Sequence, residues 1–121
     1  MAKVLVVDDE DANRLLASTV LRHAGHLPTE AGTAGEALRI ARSELPDLVL
    51  VDLSLREGSG ADLIRALRAD PATRQLRVAL YTATHINPAL RDFMQLYDVR
   101  CVVPKPSEPQ ELLRAVEAAL E

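Results

Sequence analysis

Val4-Leu5-Val6-Val7, followed by Asp8-Asp9-Glu10, is the stretch whose reading decides the fold. An unbroken apolar run of this length suits a strand covered on both faces, and such strands belong to parallel sheets. The pattern recurs along the chain. Leu48-Val49-Leu50-Val51 ends in Asp52, Val78-Ala79-Leu80-Tyr81 ends in Thr82, and the run from Val99 to Val103 leads to Lys105. A weaker run, Leu27 to Ala31, is interrupted by Pro28 and Glu30 and reads as an edge strand.

Helical periodicity fills the gaps. Leu15, Leu16, Thr19, Val20 and Leu21 predict a first helix, stopped at Gly25. Thr33 is expected to cap the second helix, with Glu36 completing a capping box and Pro46 ending it. Leu63, Ile64 and Leu67 mark the third, ended by Asp70-Pro71. The fourth runs from Asn87-Pro88 through Leu90, Phe93, Met94 and Tyr97. Ser107 is expected to cap the fifth, with Glu108-Pro109 in its first turn and Leu112, Leu113, Val116 and Leu120 beyond. Strand and helix thus alternate throughout. Alternation predicts an α/β chain: a doubly wound parallel sheet with right-handed crossovers and helices on both faces. A flavodoxin-like (βα)5 order of 2-1-3-4-5 is expected, in a single domain over residues 1–121.

The 121 residues are 48% hydrophobic, enough for one core and too apolar for disorder. No apolar run approaches the ~20 residues of a membrane span, and no signal-peptide pattern opens the chain. A net charge of −4 with interspersed signs argues against a basic nucleic-acid module. The single cysteine, Cys101, excludes an internal disulfide and lies in an apolar run, where a buried, inert thiol is expected. A cytoplasmic protein is the expectation.

In an open α/β sheet, ligands bind outside the carboxyl ends of the strands, at the switch point where strand order reverses. Asp8-Asp9 and Asp52 fall at the ends of the two strands flanking that point. Taken singly, each group has a plain structural use. Asp8 and Asp9 could serve the first helix, Asp52 and Lys105 could sit in turns, and Thr82 could merely suit a pleated surface. Together they form a hard-oxygen cluster that repels itself without a cation and suits Mg²⁺, beside a hydroxyl and an ammonium able to hold a phosphoryl group. A carboxylate can accept that group as an acyl phosphate. Asp11 reads as a helix-terminal charge only.

The ordered set resembles the receiver domain of two-component response regulators. Val-Leu-Val-Val-Asp-Asp-Glu at the start, Leu-Val-Leu-Val-Asp-Leu around Asp52, Tyr-Thr-Ala around Thr82 and Lys105-Pro106 carry the resemblance, with Gly60 where the family has a glycine opening the third helix. The resemblance implies Asp52 as phospho-acceptor. It implies Asp9 as a direct Mg²⁺ ligand supported by Asp8, with Asp52 and the Ser54 backbone carbonyl also contributing. Thr82 and Lys105 would bind the phosphate, and Ser54 and Thr84 would stand at positions that tune hydrolysis. The donor would be a phosphohistidine of a sensor histidine kinase or phosphotransfer protein. The output would be an effector or a homodimer, through the face of the fourth helix and fifth strand. No nucleic acid or membrane is expected as a direct partner. Such a domain is a signalling switch and not an enzyme, catalysing only its own phosphorylation and dephosphorylation.

Departures from the family pattern are also visible. Val102 replaces a frequent aromatic switch residue, Arg56 a proline, and Asp98-Val99 a Gly-Ala pair, and Pro104 precedes the lysine. Two other classes stay open: a pseudo-receiver serving only as a binding module, and a Mg²⁺-dependent phosphohydrolase. The second normally needs another carboxylate near the nucleophile, where this chain has Ser54. A nucleotide or flavin binder is disfavoured, since no glycine fingerprint follows the first strand.

Overall fold

The computed structural model describes residues 1–55 and 57–121, so Arg56 and its departure from the family lie outside the described residues. In chain order the elements are β1 (Lys3–Val7), α1 (Asp11–His23), β2 (Leu27–Ala31), α2 (Ala34–Glu44), β3 (Leu48–Val51), α3 (Gly60–Ala69), β4 (Arg77–Thr82), α4 (Pro88–Leu96), β5 (Val99–Pro104) and α5 (Pro109–Leu120). The five strands are parallel, in the order β2-β1-β3-β4-β5. This is the expected flavodoxin-like single domain.

The apolar runs are continuous because successive residues point to opposite faces and both faces are buried. Val4, Val6, Leu48, Leu50, Ala79 and Tyr81 pack with Ala17 and Leu21 of α1 and with Leu112, Val116 and Ala119 of α5. Leu5, Val7, Val49, Val51, Val78 and Leu80 pack with α2, α3 and α4 through Ala37, Ala41, Leu63, Ile64, Leu67 and Leu90. Each buried leucine or isoleucine contributes on the order of 1.5–3 kcal/mol by removal from water. Both edge strands carry charged or proline interruptions: Pro28 and Glu30 in β2, the exposed Arg100 and the terminal Pro104 in β5. Proline is tolerated at such an edge.

The helix ends follow from local chemistry, with two corrections to the sequence reading. Thr33 caps α2 by accepting from the Glu36 N–H at 3.1 Å, but the Glu36 carboxylate accepts from Gly32, one residue earlier than a capping box requires. The Thr33 N–H therefore lacks that partner, and the carboxylate fastens the β2–α2 turn instead. Glu108, not Ser107, caps α5: its side chain and that of Glu111 form the reciprocal capping box, while the Ser107 hydroxyl donates to the Pro104 carbonyl. Proline at the next position fixes the backbone at the first helical residue, which pulls the cap to Glu108. Gly25 adopts φ 91 after α1, a conformation open to glycine, and its N–H closes on the Arg22 carbonyl at 3.0 Å.

Asp98 explains one departure from the family. It adopts φ 52 in the turn between α4 and β5. Glycine fits that left-handed conformation freely, and aspartate is among the residues that tolerate it.

Along the fourth helix and its end, Phe93, Met94 and Tyr97 pack against the core, whereas Leu96 is 75% exposed. The Phe93 and Tyr97 rings lie 4.8 Å apart, and the Arg65 guanidinium of α3 sits over both, at 5.2 and 5.8 Å. Cys101 is half-buried, and burial pushes its thiol above the ordinary value, as suits an unreactive cysteine. No helix among the described residues is long and apolar enough to cross a membrane.

Candidate functional site

Ladder bonds between neighbouring strands bring the polar groups to one crevice. The Asp8 N–H donates to Ala31 of β2 at 3.1 Å, the Asp52 N–H to Val7 of β1 at 3.0 Å, and the Lys105 N–H to Thr82 of β4 at 3.1 Å. Each site residue therefore stands one step beyond a strand and is registered against its neighbour. The Lys105–Pro106 peptide bond is cis.

One carboxylate oxygen from each of Asp8, Asp9 and Asp52 lies within 4.8 Å of the others. Asp8 is only 3% exposed and Asp52 8%. Buried carboxylates require partners, and these have them. The Lys105 ammonium donates to Asp52 Oδ2 at 2.9 Å and also to Asp8 Oδ2, a second ion pair that the sequence reading did not anticipate. Asp8 Oδ1 accepts from the Glu10 N–H at 2.9 Å, and Asp52 Oδ1 from the Ser54 N–H at 3.1 Å. Burial works against the charged form of Lys105, but its two carboxylate partners outweigh burial and raise its affinity for the proton. Its ammonium also lies 5.2 Å from the centre of the Tyr81 ring.

Thr82 is 1% exposed and lines the same cleft of about 400 Å³ as Asp9, Glu10, Asn13, Asp52, Ser54, Ala83 and Lys105. Its hydroxyl contacts the Thr84 hydroxyl at 3.2 Å and accepts from the Thr84 N–H at 3.3 Å. Thr84 itself faces a neighbouring cleft with His85, Ile86 and Val102. All the side chains expected at the site thus gather there, with Thr84 at its margin.

Gly60 acquires a reason that the sequence could not supply. A Cβ at this position would lie 2.3 Å from the Asp52 carbonyl oxygen and 2.7 Å from Leu53 Cα. Its N–H closes the loop on the Leu53 carbonyl at 3.0 Å. Backbone, not a flexible side chain, fills the space, so Gly60→Ala must displace the segment that carries Asp52. We expect a loss of about 2 kcal/mol in urea unfolding, of the kind overpacking produces. Unchanged stability would show that the loop yields freely.

Arg14 escaped the sequence reading. Its guanidinium donates to the Asp8 carbonyl at 2.6 Å and pairs with Asp11 and, at 3.4 Å, with Glu30. It ties the loop bearing the acidic pair to β2.

A family model described as the response regulator receiver domain matches residues 4–117. The chain belongs to that family. Among curated relatives of the receiver domain, protein PilH of Pseudomonas aeruginosa is 28% identical over 120 residues, covering 99% of this chain and 98% of its own. The DNA-binding response regulator MtrA of Mycolicibacterium smegmatis is 34% identical, covering 98% of this chain but 50% of MtrA, so the receiver domain spans about half of that relative. Among solved structures, the Vibrio cholerae chemotaxis protein CheY4 superposes with a TM-score of 0.91 at 25% identity, covering 98% of each chain. A putative response regulator from Chloroflexus aurantiacus gives a TM-score of 0.88 at 30% identity, covering 98% of this chain and 97% of that one.

Proposed function

We propose that this receiver domain takes a phosphoryl group onto Asp52 from a phosphohistidine of a sensor kinase or phosphotransfer protein, and that the acyl phosphate switches a partner-binding surface. The observation that carries this reading is the convergence on one cleft of three carboxylates with an ammonium and a buried threonine hydroxyl.

Three carboxylates against one ammonium leave an excess of negative charge in a partly buried site, and all the ligand atoms are hard oxygens. That donor set fits Mg²⁺, which Asp9, Asp52 and the Ser54 backbone carbonyl would hold, with Asp8 in support. Bound Mg²⁺ supplies charge neutralisation at the transferring phosphoryl oxygens. The remaining work belongs to the chain. Asp52 is positioned through both oxygens, by Lys105 and by the Ser54 N–H, and keeps lone pairs for attack on phosphorus. After transfer, Lys105 exchanges the carboxylate for phosphoryl oxygens, a charge-assisted contact. The Thr82 hydroxyl leaves Thr84 for the phosphoryl group and draws the segment from Thr84 to Asn87 with it.

With Val102 half-buried and aliphatic, output proceeds through this loop and the α4–β5 face without rotation of an aromatic ring. The partners at that face are an effector or a second copy. A self-modifying switch, rather than an enzyme turning over an external ester, is the role that this family membership supports. A cytoplasmic setting suits such a switch.

Intact mass after incubation with acetyl phosphate tests the reading. One phosphoryl adduct is expected with Mg²⁺ and none with EDTA. Absence of an adduct with every donor, including a phosphorylated sensor kinase, would leave only a binding module.

A further inference from the structure

The acidic loop after β1 is fastened at consecutive peptide units. The Asp8 N–H donates to the Ala31 carbonyl of β2 at 3.1 Å, and the Asp8 carbonyl accepts from the Arg14 guanidinium at 2.6 Å. The Glu10 N–H donates to Asp8 Oδ1 at 2.9 Å, and the Glu10 carbonyl accepts from the Arg14 N–H at 3.1 Å. Peptide units are planar, so each of these bonds fixes a whole plane. The plane joining Asp8 to Asp9 is held through its carbonyl by Arg14. The plane joining Asp9 to Glu10 is held through its N–H by Asp8. Asp9 thus stands between two fixed planes, which set its backbone dihedrals and the direction in which its side chain leaves the chain.

The guanidinium has a shaped seat. The Arg14 side chain is 16% exposed and that of Asp11 95%, so the pair with Asp11 lies in water and contributes little. The Asp8 carbonyl and Glu30, 3.4 Å from Arg14 Nε, are the contacts that hold it. Gly32 leaves the room, since a Cβ there would lie 3.1 Å from Arg14 Nη1. We propose that Arg14 is a positioning residue for the divalent cation: by fixing the peptide plane between Asp8 and Asp9, it holds the Asp9 carboxylate ready for Mg²⁺. The loop is then ordered before the ion arrives. Without Arg14 the loop loses that freedom only on binding, and affinity falls accordingly. Charge alone predicts the opposite, because deleting a cation from an acidic neighbourhood favours a second cation. Positioning and charge therefore predict changes of opposite sign.

This inference rests on the Mg²⁺ site proposed for the cleft. The test is calorimetric titration of wild type, Arg14→Ala and Arg14→Lys with Mg²⁺, with thermal melts in the absence of the ion confirming that each protein is folded. Groups that orient metal ligands typically change affinity by about 10–100-fold, and one acting through the main chain belongs at the low end. Arg14→Ala is expected to bind Mg²⁺ about tenfold more weakly. Arg14→Lys keeps the charge but loses the fork that spans the carbonyl and Glu30, and is expected to bind roughly threefold more weakly. Unchanged or tighter binding by Arg14→Ala would overturn the inference; a lowered Tm beside an unchanged Mg²⁺ affinity would make Arg14 only a brace between α1 and β2. Should Arg14→Ala fail to fold, Arg14→Lys decides alone, and wild-type affinity in that variant would overturn the inference. A wild type that binds no Mg²⁺ would overturn the metal site itself, and is distinguishable because the failure precedes any substitution.

Discussion

Asp52→Asn is expected to abolish the phosphoryl adduct completely while leaving the fold intact. The carboxamide has nearly the shape of the carboxylate, and its oxygen can still accept from the Ser54 N–H, which lies 3.1 Å from Asp52 Oδ1 in the wild type. It is too poor a nucleophile to form an acyl phosphate. Stability is expected to stay level or rise slightly. The change removes one of three carboxylates that lie within 4.8 Å of one another, and Lys105 retains Asp8 as partner. Intact mass and thermal melts, run in parallel, check both halves. An adduct persisting on Asp52→Asn would place the acceptor elsewhere, and a large loss of stability would show that the Asp52–Lys105 pair is chiefly structural.

Arg68→Ala is expected to produce the largest loss of stability of any substitution outside the core. The half-buried guanidinium, on the last turn of α3, donates to four backbone carbonyls: Tyr97 at 2.7 Å, Arg74 at 2.8 Å, Leu76 at 2.6 Å and Asp98 at 3.1 Å. These carbonyls lie in the α3–β4 connection and the α4–β5 turn, so one side chain joins three segments. Burial lowers the proton affinity of Arg68, with Asp98 opposing the effect and Arg100 adding to it, yet arginine stays charged in proteins. Hydrogen bonds from charged groups contribute about 1.5–3 kcal/mol each, but water replaces part of that at a half-exposed site. The net loss is expected to be about 3 kcal/mol, or roughly 10 °C in Tm for a domain of this size. Arg68→Lys should recover only part of it, because an ammonium cannot span the same fork of acceptors. A melt within about 2 °C of wild type would show that the carbonyls are equally well served by water.

The contrast between Asp52 and Arg68 shows what the sequence could express. Asp8, Asp9, Asp52, Thr82 and Lys105 were legible because each interrupts an apolar run, and parallel strands of one sheet must end side by side. The alternating strands and helices then fixed which ends would meet. Arg68 left no such mark, since its partners are main-chain carbonyls from residues up to 30 positions away, and any sequence supplies carbonyls. Arg14 was hidden near the start of an ordinary amphipathic helix. The Lys105–Asp8 contact was likewise invisible, because spacing along the chain does not say which of three neighbouring carboxylates a lysine will choose. Gly60 stood in the expected place, but its cause is a 2.3 Å approach to the Asp52 carbonyl oxygen that only the folded loop reveals. Ser107 was misread as a cap because Ser and Glu both offer the needed oxygen, and the choice was made by Pro109.

The central claim is that the phosphoryl group resides on Asp52. Borohydride reduces an aspartyl phosphate to homoserine and leaves the carboxylates intact. The wild-type protein, incubated with Mg²⁺ and acetyl phosphate, reduced, digested and sequenced by tandem mass spectrometry, is expected to carry homoserine at position 52 and at no other aspartate. Homoserine at position 8 or 9 instead, or a phosphoryl group recovered on a histidine, would contradict the account.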